Sequence, residues 1–398
     1  MTTNTVKNKK YIVKYKAITI YKRENVMKRI YNYLKKDAVL TISWVLAIVS
    51  MFFIKPDKAY AGYIDWRSLG ILWSLMIITK GYMQNGIFEK IGHALLTRTR
   101  KMWQLIAVLV GLNFFSSMII TNDVSLITFV PFAIMMLKQC GRQELMIPVV
   151  VLQTIAANLG SMLTPIGNPQ NLYLYGLAGK GIGEFIMWLL PYTIVSALLL
   201  VISILLIKNK NEIICIEDTD SEAAHNTSVP RVMAYSVLFI LALLVVARVL
   251  TWYILAAAVL ITVLLLEKNV LAKADYALLL TFIGFFIFTG NMGRVEPVAH
   301  FLAGIVNSRE LEVGIITSQC ISNVPAALLL SGFTDNIKNL SIGVNIGGLG
   351  TLIASMASLI SYKLYANEVP EKKGKYFAVF TVYNIIFLVV LYVFTKLI

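Results

Sequence analysis

The sequence is poor in charged residues and in the motifs that build metal centres and disulfides. Only 14% of its 398 residues are charged, whereas soluble domains carry roughly 25%. Three cysteines occur without CxxC spacing and three histidines without an HExxH motif, so neither a zinc site nor a disulfide framework is indicated. An intramembrane enzyme is disfavoured as well, because no histidine lies at the helix breaks described below.

Long apolar segments make up most of the chain. Hydrophobic residues account for 58% of it, and runs able to cross a hydrocarbon core of about 30 Å recur along its whole length. No stretch is left for a separate soluble domain. The sequence therefore predicts an all-α polytopic membrane protein. Its apolar segments lie at 39–54, 66–81, 102–120, 124–137, 145–175, 183–207, 231–247, 252–267, 276–291, 311–333, 341–362 and 374–396.

Basic residues indicate how these segments are oriented. Residues 1–37 contain eleven Lys or Arg residues, which predicts a basic cytoplasmic tail under the positive-inside rule. The same rule explains the net charge of +15 without a nucleic-acid partner. With the segment ends assigned to the two sides in this way, the chain crosses the cell inner (plasma) membrane nine times. Its N-terminus is then expected in the cytoplasm and its C-terminus outside.

Two apolar segments are predicted to be hairpins that return to the side from which they entered. The run 102–137 has Arg100 and Lys101 before it and Lys138 and Arg142 after it, so both ends are expected in the cytoplasm. The run 311–333 is too short for two crossings of about 20 residues each. Its interruption at 322–325 indicates a re-entrant hairpin.

The order of elements occurs twice along the chain. Asp65 and Asp275, 210 positions apart, each begin an apolar run, a hairpin follows in each half, and residues 158–166 then match 345–353 at Asn, Gly, Thr and Ile. In the predicted topology, corresponding elements have opposite orientations in the membrane, as in the inverted repeats of many secondary transporters. The predicted units are a cytoplasmic tail, a first transmembrane repeat, a cytoplasmic linker and a second transmembrane repeat, at 1–37, 38–207, 208–230 and 231–398.

The strongest candidate for a binding site is the segment 160–171. Pro165 and Pro169 each remove a helical hydrogen-bond donor, and Gly160 and Gly167 permit turns, so the helix is expected to break. A break leaves unpaired carbonyls at one half-helix end and unpaired N–H groups at the other, which suit a cation and an anion. A proline kink packed against neighbouring helices is the alternative. Side chains expected to add ligands are Ser161, Thr164, Asn168 and Asn171.

The second repeat contains a matching segment without proline. Its small and hydroxyl-bearing residues are expected to form a second break. Stripes of small residues also serve close helix packing, so packing stays an open alternative here. The residues concerned are Gly347, Gly348, Gly350, Thr351, Ser355 and Ser358.

Asp123 is the one carboxylate placed deep in an apolar setting, at the tip of the first hairpin. An ionisable group inside a membrane is costly and indicates function. Two roles fit it, binding of sodium and exchange of a proton. The alternative is a structural cap that accepts hydrogen bonds from backbone N–H groups.

These motifs resemble the ion transporter superfamily that includes arsenite permeases, certain sodium/proton antiporters, and the citrate and divalent-anion/sodium symporters. The resemblance runs from about residue 39 to the C-terminus. It is carried by Thr121-Asn122-Asp123, by Thr164-Pro165-Ile166-Gly167-Asn168-Pro169-Gln170-Asn171, by Ser322-Asn323-Val324-Pro325 and by the run 345–358.

The resemblance implies two facing hairpin tips that bind the solute and the coupling ion together with the two breaks. The chain departs from the symporter motif at Val324, which lacks a hydroxyl, and at Asp123, whose charge would repel a dianion. By position the resemblance implicates Asn122 and Asn323 at the tips and Gly160, Thr164, Asn168, Gly347 and Thr351 at the breaks. Together with the residues argued above, the candidate substrate ligands are Asn122, Thr164, Asn168, Asn171, Asn323, Thr351 and Ser355, and the candidate coupling-ion ligands are Asp123, Asn122, Gly160, Ser161, Ser322, Asn323 and Gly347.

The leading hypothesis is a secondary transporter of a small anion, coupled to sodium or protons and needing no other cofactor or metal. Efflux of arsenite or another oxyanion and sodium/proton exchange are the alternatives within transport. A channel would need a continuous polar pore, whereas the sequence has localised breaks. The partners expected are the small anionic substrate and the lipid bilayer, with a homodimer left open.

Overall fold

The computed structural model describes residues 38–96, 99–207, 212–213 and 228–398. The predicted tail and most of the predicted linker, with Cys215, lie outside these ranges. Within them the chain is helical, and its only bridge of β type joins Lys101 to Ile213. The helices of the first half are α1 Ala38–Phe53, α2 Trp66–Gln84, α3 Ile87–Leu96, α4 Met102–Ser116, α5 Asn122–Gln139, α6 Met146–Ser161, α7 Pro169–Ala178 and α8 Ile182–Leu205.

The second half continues with α9 to α17. A one-turn helix at Tyr60–Tyr63 and several short 3-10 turns connect the numbered helices. The remaining helices are α9 Val229–Val246, α10 Trp252–Leu266, α11 Tyr276–Gly293, α12 Glu296–Val306, α13 Glu310–Ile321, α14 Asn323–Leu330, α15 Ile337–Ile346, α16 Met356–Glu368 and α17 Lys373–Thr395.

Length and composition confirm an all-α polytopic membrane protein. Five helical spans in the described ranges are long and apolar enough to cross a membrane, and shorter apolar helices such as α4 and α10 accompany them. The five spans are Gln143–Ser161, Ile182–Leu205, Val229–Val246, Tyr276–Gly293 and Pro370–Thr395.

The helices pack in two groups. In the first group α1 packs against α11, and α2 packs against α9 and α10. Small residues permit the close contact between α1 and α11, since a Cβ at Gly284 of α11 would lie 2.9 Å from Ser43 Oγ of α1. The second group contains the two hairpins, the half-helices α6, α7, α15 and α16, and the long helices α8 and α17.

The two runs that the sequence placed 210 positions apart begin in the same way. Asp65 precedes α2 and accepts a hydrogen bond from Ser68 N at 3.0 Å. Asp275 precedes α11 and accepts one from Leu278 N, also at 3.0 Å. Each carboxylate therefore satisfies an otherwise unpaired donor of the first helical turn. The opposite orientation of the two repeats stays a prediction.

Both predicted hairpins and both predicted breaks are present. Helices α4 and α5 form the first hairpin, whereas α13 and α14 form the second with only Ser322 between them. The first break separates α6 from α7, and Pro169 occupies the first position of α7, where a missing N–H costs nothing. The second break separates α15 from α16 and contains the short turn Leu352–Ala354.

Candidate functional site

Four helix N-termini and four helix C-termini meet where the hairpin tips approach the breaks. The N-termini belong to α5, α7, α14 and α16, and each begins at or directly after a polar residue of the predicted site. The first N–H groups of a helix lack intrahelical acceptors and carry partial positive charge. The last carbonyls of α4, α6, α13 and α15 supply the opposite charge nearby.

The tip of the first hairpin is bound to the first break. Asn122 donates its backbone N–H to Gly167 O at 3.1 Å, and its side-chain Nδ2 donates to Asn158 Oδ1 at 3.1 Å. Thr164 Oγ1 donates to Met118 O at 2.5 Å, which adds a second bond between break and hairpin. Asn122 is only 5% exposed, so its side chain is desolvated within this contact.

Asn158, at the end of α6, reaches across to the second break. Its Oδ1 accepts from Ser355 Oγ at 3.0 Å, and its Nδ2 donates to Ser358 Oγ at 3.2 Å. Ser161 Oγ donates to the backbone oxygen of Asn158 at 2.9 Å. One buried amide therefore joins the first hairpin, the first break and the second break.

Asn345, at the end of α15, makes the corresponding contacts from the second break to the first. Its Oδ1 accepts from Asn168 Nδ2 at 3.1 Å, and its Nδ2 donates to Asn171 Oδ1 at 2.6 Å. Asn168 Nδ2 also donates to Ser161 Oγ at 3.2 Å. The contacts of Asn345 and Asn158 therefore form one continuous polar centre.

The two sets of contacts are reciprocal. The pairs in register, each 187 positions apart, are Asn158 with Asn345, Asn168 with Ser355, and Asn171 with Ser358. Asn158 bonds to Ser355 and Ser358. Its equivalent Asn345 bonds to Asn168 and Asn171, which are the equivalents of those two serines. Equivalent segments exchange contacts in this way when a two-fold axis passes between them.

The second hairpin tip contacts the second break through different side chains. Gln319 Nε2 donates to Gly347 O at 2.8 Å and to Leu349 O at 2.9 Å. A Cβ at Gly348 would lie 2.8 Å from Asn323 Nδ2, so the tip asparagine lies against the break. Thr351 is exposed, and its Oγ1 donates to Gln319 O at 3.3 Å. It is therefore at the edge of the polar centre.

Ser322 forms the tip of the second hairpin in a strained conformation. Its φ of 75° and ψ of 153° lie in a region that is populated almost solely by glycine. This conformation lets α14 begin directly after Ser322, the single residue that separates it from α13, and Ser322 Oγ lies 3.4 Å from Asn323 Oδ1. Strain at a buried tip is a further sign of a functional position.

Gly160 and Gly347 allow each hairpin to approach its break closely. A Cβ at Gly160 would overlap the carbonyl oxygen of Phe114 in α4. A Cβ at Gly347 would lie 2.8 Å from Ser318 Oγ and 2.9 Å from Ile315 Cα in α13. Both glycines were predicted as coupling-ion ligands. Each lies where the hairpin and the break are too close together for a side chain, so only its backbone groups are available there.

Gly160→Ala should destabilise the folded protein by about 1–3 kcal/mol, the usual cost of overpacking, because the new methyl group meets backbone that cannot move independently. The measurement is the apparent melting temperature of the purified protein. Gly183→Ala is the matched control, since a Cβ at Gly183 meets nothing within 4 Å. Equal melting temperatures for Gly160→Ala and wild type would refute the close contact.

Asp123 lies next to Asn122 in the first turn of α5 and is half-buried. Its backbone N–H donates to Asn122 Oδ1 at 3.0 Å. Among the described residues, no hydrogen bond or ion pair reaches its carboxylate, so the structural cap considered as an alternative is not formed. The charges that act on it most are those of Asp275 and Lys80. The carboxylate therefore has free acceptor oxygens at the hairpin tip.

No lysine or arginine of the described ranges is buried at this centre. The buried charged residues of the described ranges are Glu267 and Glu310, and Glu310 accepts from Thr334 Oγ1 at 3.0 Å at the start of α13, away from the hairpin tip. Glu267 belongs to a separate cluster, where it accepts from Arg231 Nη1 at 3.0 Å and from Tyr235 OH at 2.9 Å. Positive potential at the polar centre therefore comes from helix N-termini, from a bound cation or, at Asp123, from the half-buried Lys80.

Four residues whose side chains bond within the centre were absent from the predicted ligand set: Asn158, Asn345, Gln319 and Ser358, the last predicted only as part of the second break. Asn158 and Asn345 open the two matching motifs, so the internal repeat was a signal for them. Gln319 had no such signal, because it lies in the body of α13 and its role depends on where the break folds. All the predicted ligands lie at the hairpin tips and breaks.

Comparison with known proteins identifies the family. Residues 27–338 match the model of the citrate transporter family. An uncharacterized transporter of Methanocaldococcus jannaschii is 31% identical over 90% of this chain and 97% of its own length. An inner membrane protein of Escherichia coli is 29% identical over 81% of this chain and 87% of its own.

A shorter similarity connects the chain to a silicon efflux transporter of Oryza sativa, which is 31% identical over 35% of this chain and 28% of its own length. The matched family and the Methanocaldococcus jannaschii relative are named as transporters and not as enzymes. The chain is a multi-pass membrane transporter, and it belongs to the citrate transporter family.

Proposed function

We propose that the protein is a secondary active transporter of a small anion, a carboxylate or an oxyanion, coupled to sodium or protons. The observation that carries this proposal is the convergence of four helix N-termini on one buried polar centre between the two breaks. Binding sites of secondary transporters commonly lie between repeats where helices are discontinuous.

Helix N-termini suit the binding of an anion at this centre. Helix α7 begins directly after Asn168, which bonds to Asn345 of the second break. Helix α16 begins directly after Ser355, which bonds to Asn158 of the first break. Such ends present N–H groups and partial positive charge without a fixed ionic group. Because no lysine or arginine of the described part is buried here, binding would be weak enough for release on the other side of the membrane.

The coupling ion would bind at Asp123 and the nearby carbonyls. A sodium ion prefers oxygen ligands, and the C-terminal ends of α4 and α6 meet where a Cβ at Gly160 would overlap the carbonyl oxygen of Phe114. A proton would require only the free carboxylate. In either case the cation offsets the repulsion between Asp123 and the anion, which links the two binding events.

Efflux of an oxyanion is the second candidate. It is favoured by the negative charge of Asp123 at the tip, which opposes a dicarboxylate more than a solute of lower charge. The partial similarity to a silicon efflux transporter agrees with a solute of this kind.

Solute panels in proteoliposomes test the proposal. We expect uptake or efflux of at least one member of a panel of carboxylates, arsenite and phosphate-like anions under an imposed sodium or pH gradient. Empty liposomes and liposomes with the Asn158→Ala protein are the controls. Absence of gradient-dependent movement for the whole panel would contradict anion transport.

The termini are expected on opposite sides of the cell membrane. In a cysteine-free background, Leu397→Cys should react with a membrane-impermeant maleimide in intact cells, because nine crossings place the C-terminus outside. Thr5→Cys should react only after permeabilisation. The same labelling pattern at both positions would contradict the proposed topology.

A further inference from the structure

A large apolar groove lies beside the first hairpin, separate from the polar centre. Its volume is about 760 Å³, within the roughly 300–1,000 Å³ typical of ligand sites. Helices α3, α4 and α9 form most of its walls. Residues from these walls include Ile87, Ile91, Ala107, Gly111, Val232 and Phe239. Its few polar groups include Tyr82 and Ser236, which are hydrogen-bonded to each other at 3.1 Å.

The groove follows one face of α4. Ala107, Gly111 and Phe115 line it at helical spacing, and the lining continues to Ile120. From Ala107 to Ser116 the helix rises roughly 14 Å, close to half of a hydrocarbon core of about 30 Å. The groove therefore has the depth of a single leaflet.

The groove is open at a protein surface where large apolar side chains are exposed. Phe115 and Ile119 at its wall are 66% and 54% exposed, and Ile91 of α3 is 47% exposed. A Cβ at Gly111 would meet no atom within 4 Å. Protein interiors are close-packed, so this space is filled by a molecule from the membrane when the protein is embedded in it.

Exposed basic residues lie close in sequence to the groove residues of α3 and α4, in segments that the topology predicts to be cytoplasmic. Arg100 and Lys101 directly precede α4, and Lys90 lies between two groove residues of α3; all three are exposed. Clusters of this kind attract the anionic headgroups of the cytoplasmic leaflet. Their charge is complementary to an acidic phospholipid whose chain enters the groove.

We propose that this groove binds one acyl chain of an anionic phospholipid from the cytoplasmic leaflet, with its headgroup near Lys90 and Arg100. The bound chain contacts Phe129 of the first hairpin and also Tyr82 and Phe239 of the helix group around α2 and α9. The lipid thereby fills the space between the hairpin and its neighbouring helices. This proposal does not depend on the identity of the transported solute.

Native mass spectrometry of the purified full chain tests the proposal. With added phosphatidylglycerol, wild type should retain one lipid per chain, and Gly111→Trp should lose at least about 90% of that adduct because the indole occupies the groove. Gly183→Trp should bind as wild type does, since Gly183 also has open space around it but lies on α8. Ala107→Phe fills the same groove from another position and replaces Gly111→Trp if that variant does not fold.

A second comparison tests whether the lipid headgroup binds near Lys90 and Arg100. Lys90→Gln combined with Arg100→Gln should reduce the preference for phosphatidylglycerol over phosphatidylcholine by several-fold while leaving chain binding intact. Unchanged lipid adducts in Gly111→Trp or Ala107→Phe, or no retained lipid on wild type, would overturn the groove as a lipid site. Equal retention of both lipids by wild type would overturn the anionic preference.

Discussion

Asn122→Ala should abolish transport while the protein still inserts and folds. The amide of Asn122 bonds to Asn158 at 3.1 Å and accepts from Asp123 N at 3.0 Å, so its removal leaves Asn158 Oδ1 and Asp123 N without these partners and takes away the side-chain bond from the hairpin tip to α6. Leaving buried polar groups without partners costs about 1–3 kcal/mol each. We expect the initial rate of uptake in proteoliposomes to fall by at least about tenfold, since 1.4 kcal/mol is a factor of ten.

Asn323→Ala, at the other tip, should have the same effect, because Asn323 lies against Gly348 of the second break. Asn384→Ala is the matched control for both variants. Asn384 is equally buried but donates only within its own helix, to Phe380 O at 2.8 Å. Wild-type rates in either tip variant, with normal elution on size exclusion, would remove that residue from the site.

Asp123→Asn should uncouple transport from the driving ion. The substitution keeps an oxygen ligand and the shape of the side chain, but it removes the charge that offsets cation dehydration and the group that can carry a proton. If sodium is the coupling ion, sodium dependence should be lost. If a proton is the coupling ion, dependence on the pH gradient should be lost while the solute still binds.

The control for the charge change is Asp57→Asn, which removes a carboxylate from the exposed loop after α1, where it is paired with Arg294 at 2.7 Å. This variant should keep the ion dependence of wild type. Transport by Asp123→Asn with an unaltered dependence on both gradients would show that the carboxylate does not couple the ion.

Much of the architecture was predictable because the membrane restricts what a sequence can form. Backbone groups must be paired within the hydrocarbon core, so Gly160, Pro165 and Pro169 together in an apolar run favoured a broken helix enclosed by protein over a packed proline kink. The hairpin tip at Ser322 followed from the length of its segment. The site at the breaks was inferred from the same residues.

The contacts across the site were not predictable from spacing alone. The matching motifs pointed to Asn158 and Asn345, yet nothing in the sequence specified that each asparagine bonds to the opposite break. That arrangement depends on how the two halves pack. Similarly, Thr351 corresponds to Thr164 in the repeat but is exposed, because Gln319 occupies the position against the second break.

Uphill accumulation tests the central claim of coupled transport most directly. Proteoliposomes containing the wild-type protein should concentrate the solute identified by the panel above its external level when an inward sodium or proton gradient is imposed, and an ionophore that dissipates the gradient should release it. Equilibration to equal concentrations regardless of the gradient would show passive conduction and would contradict a secondary active transporter.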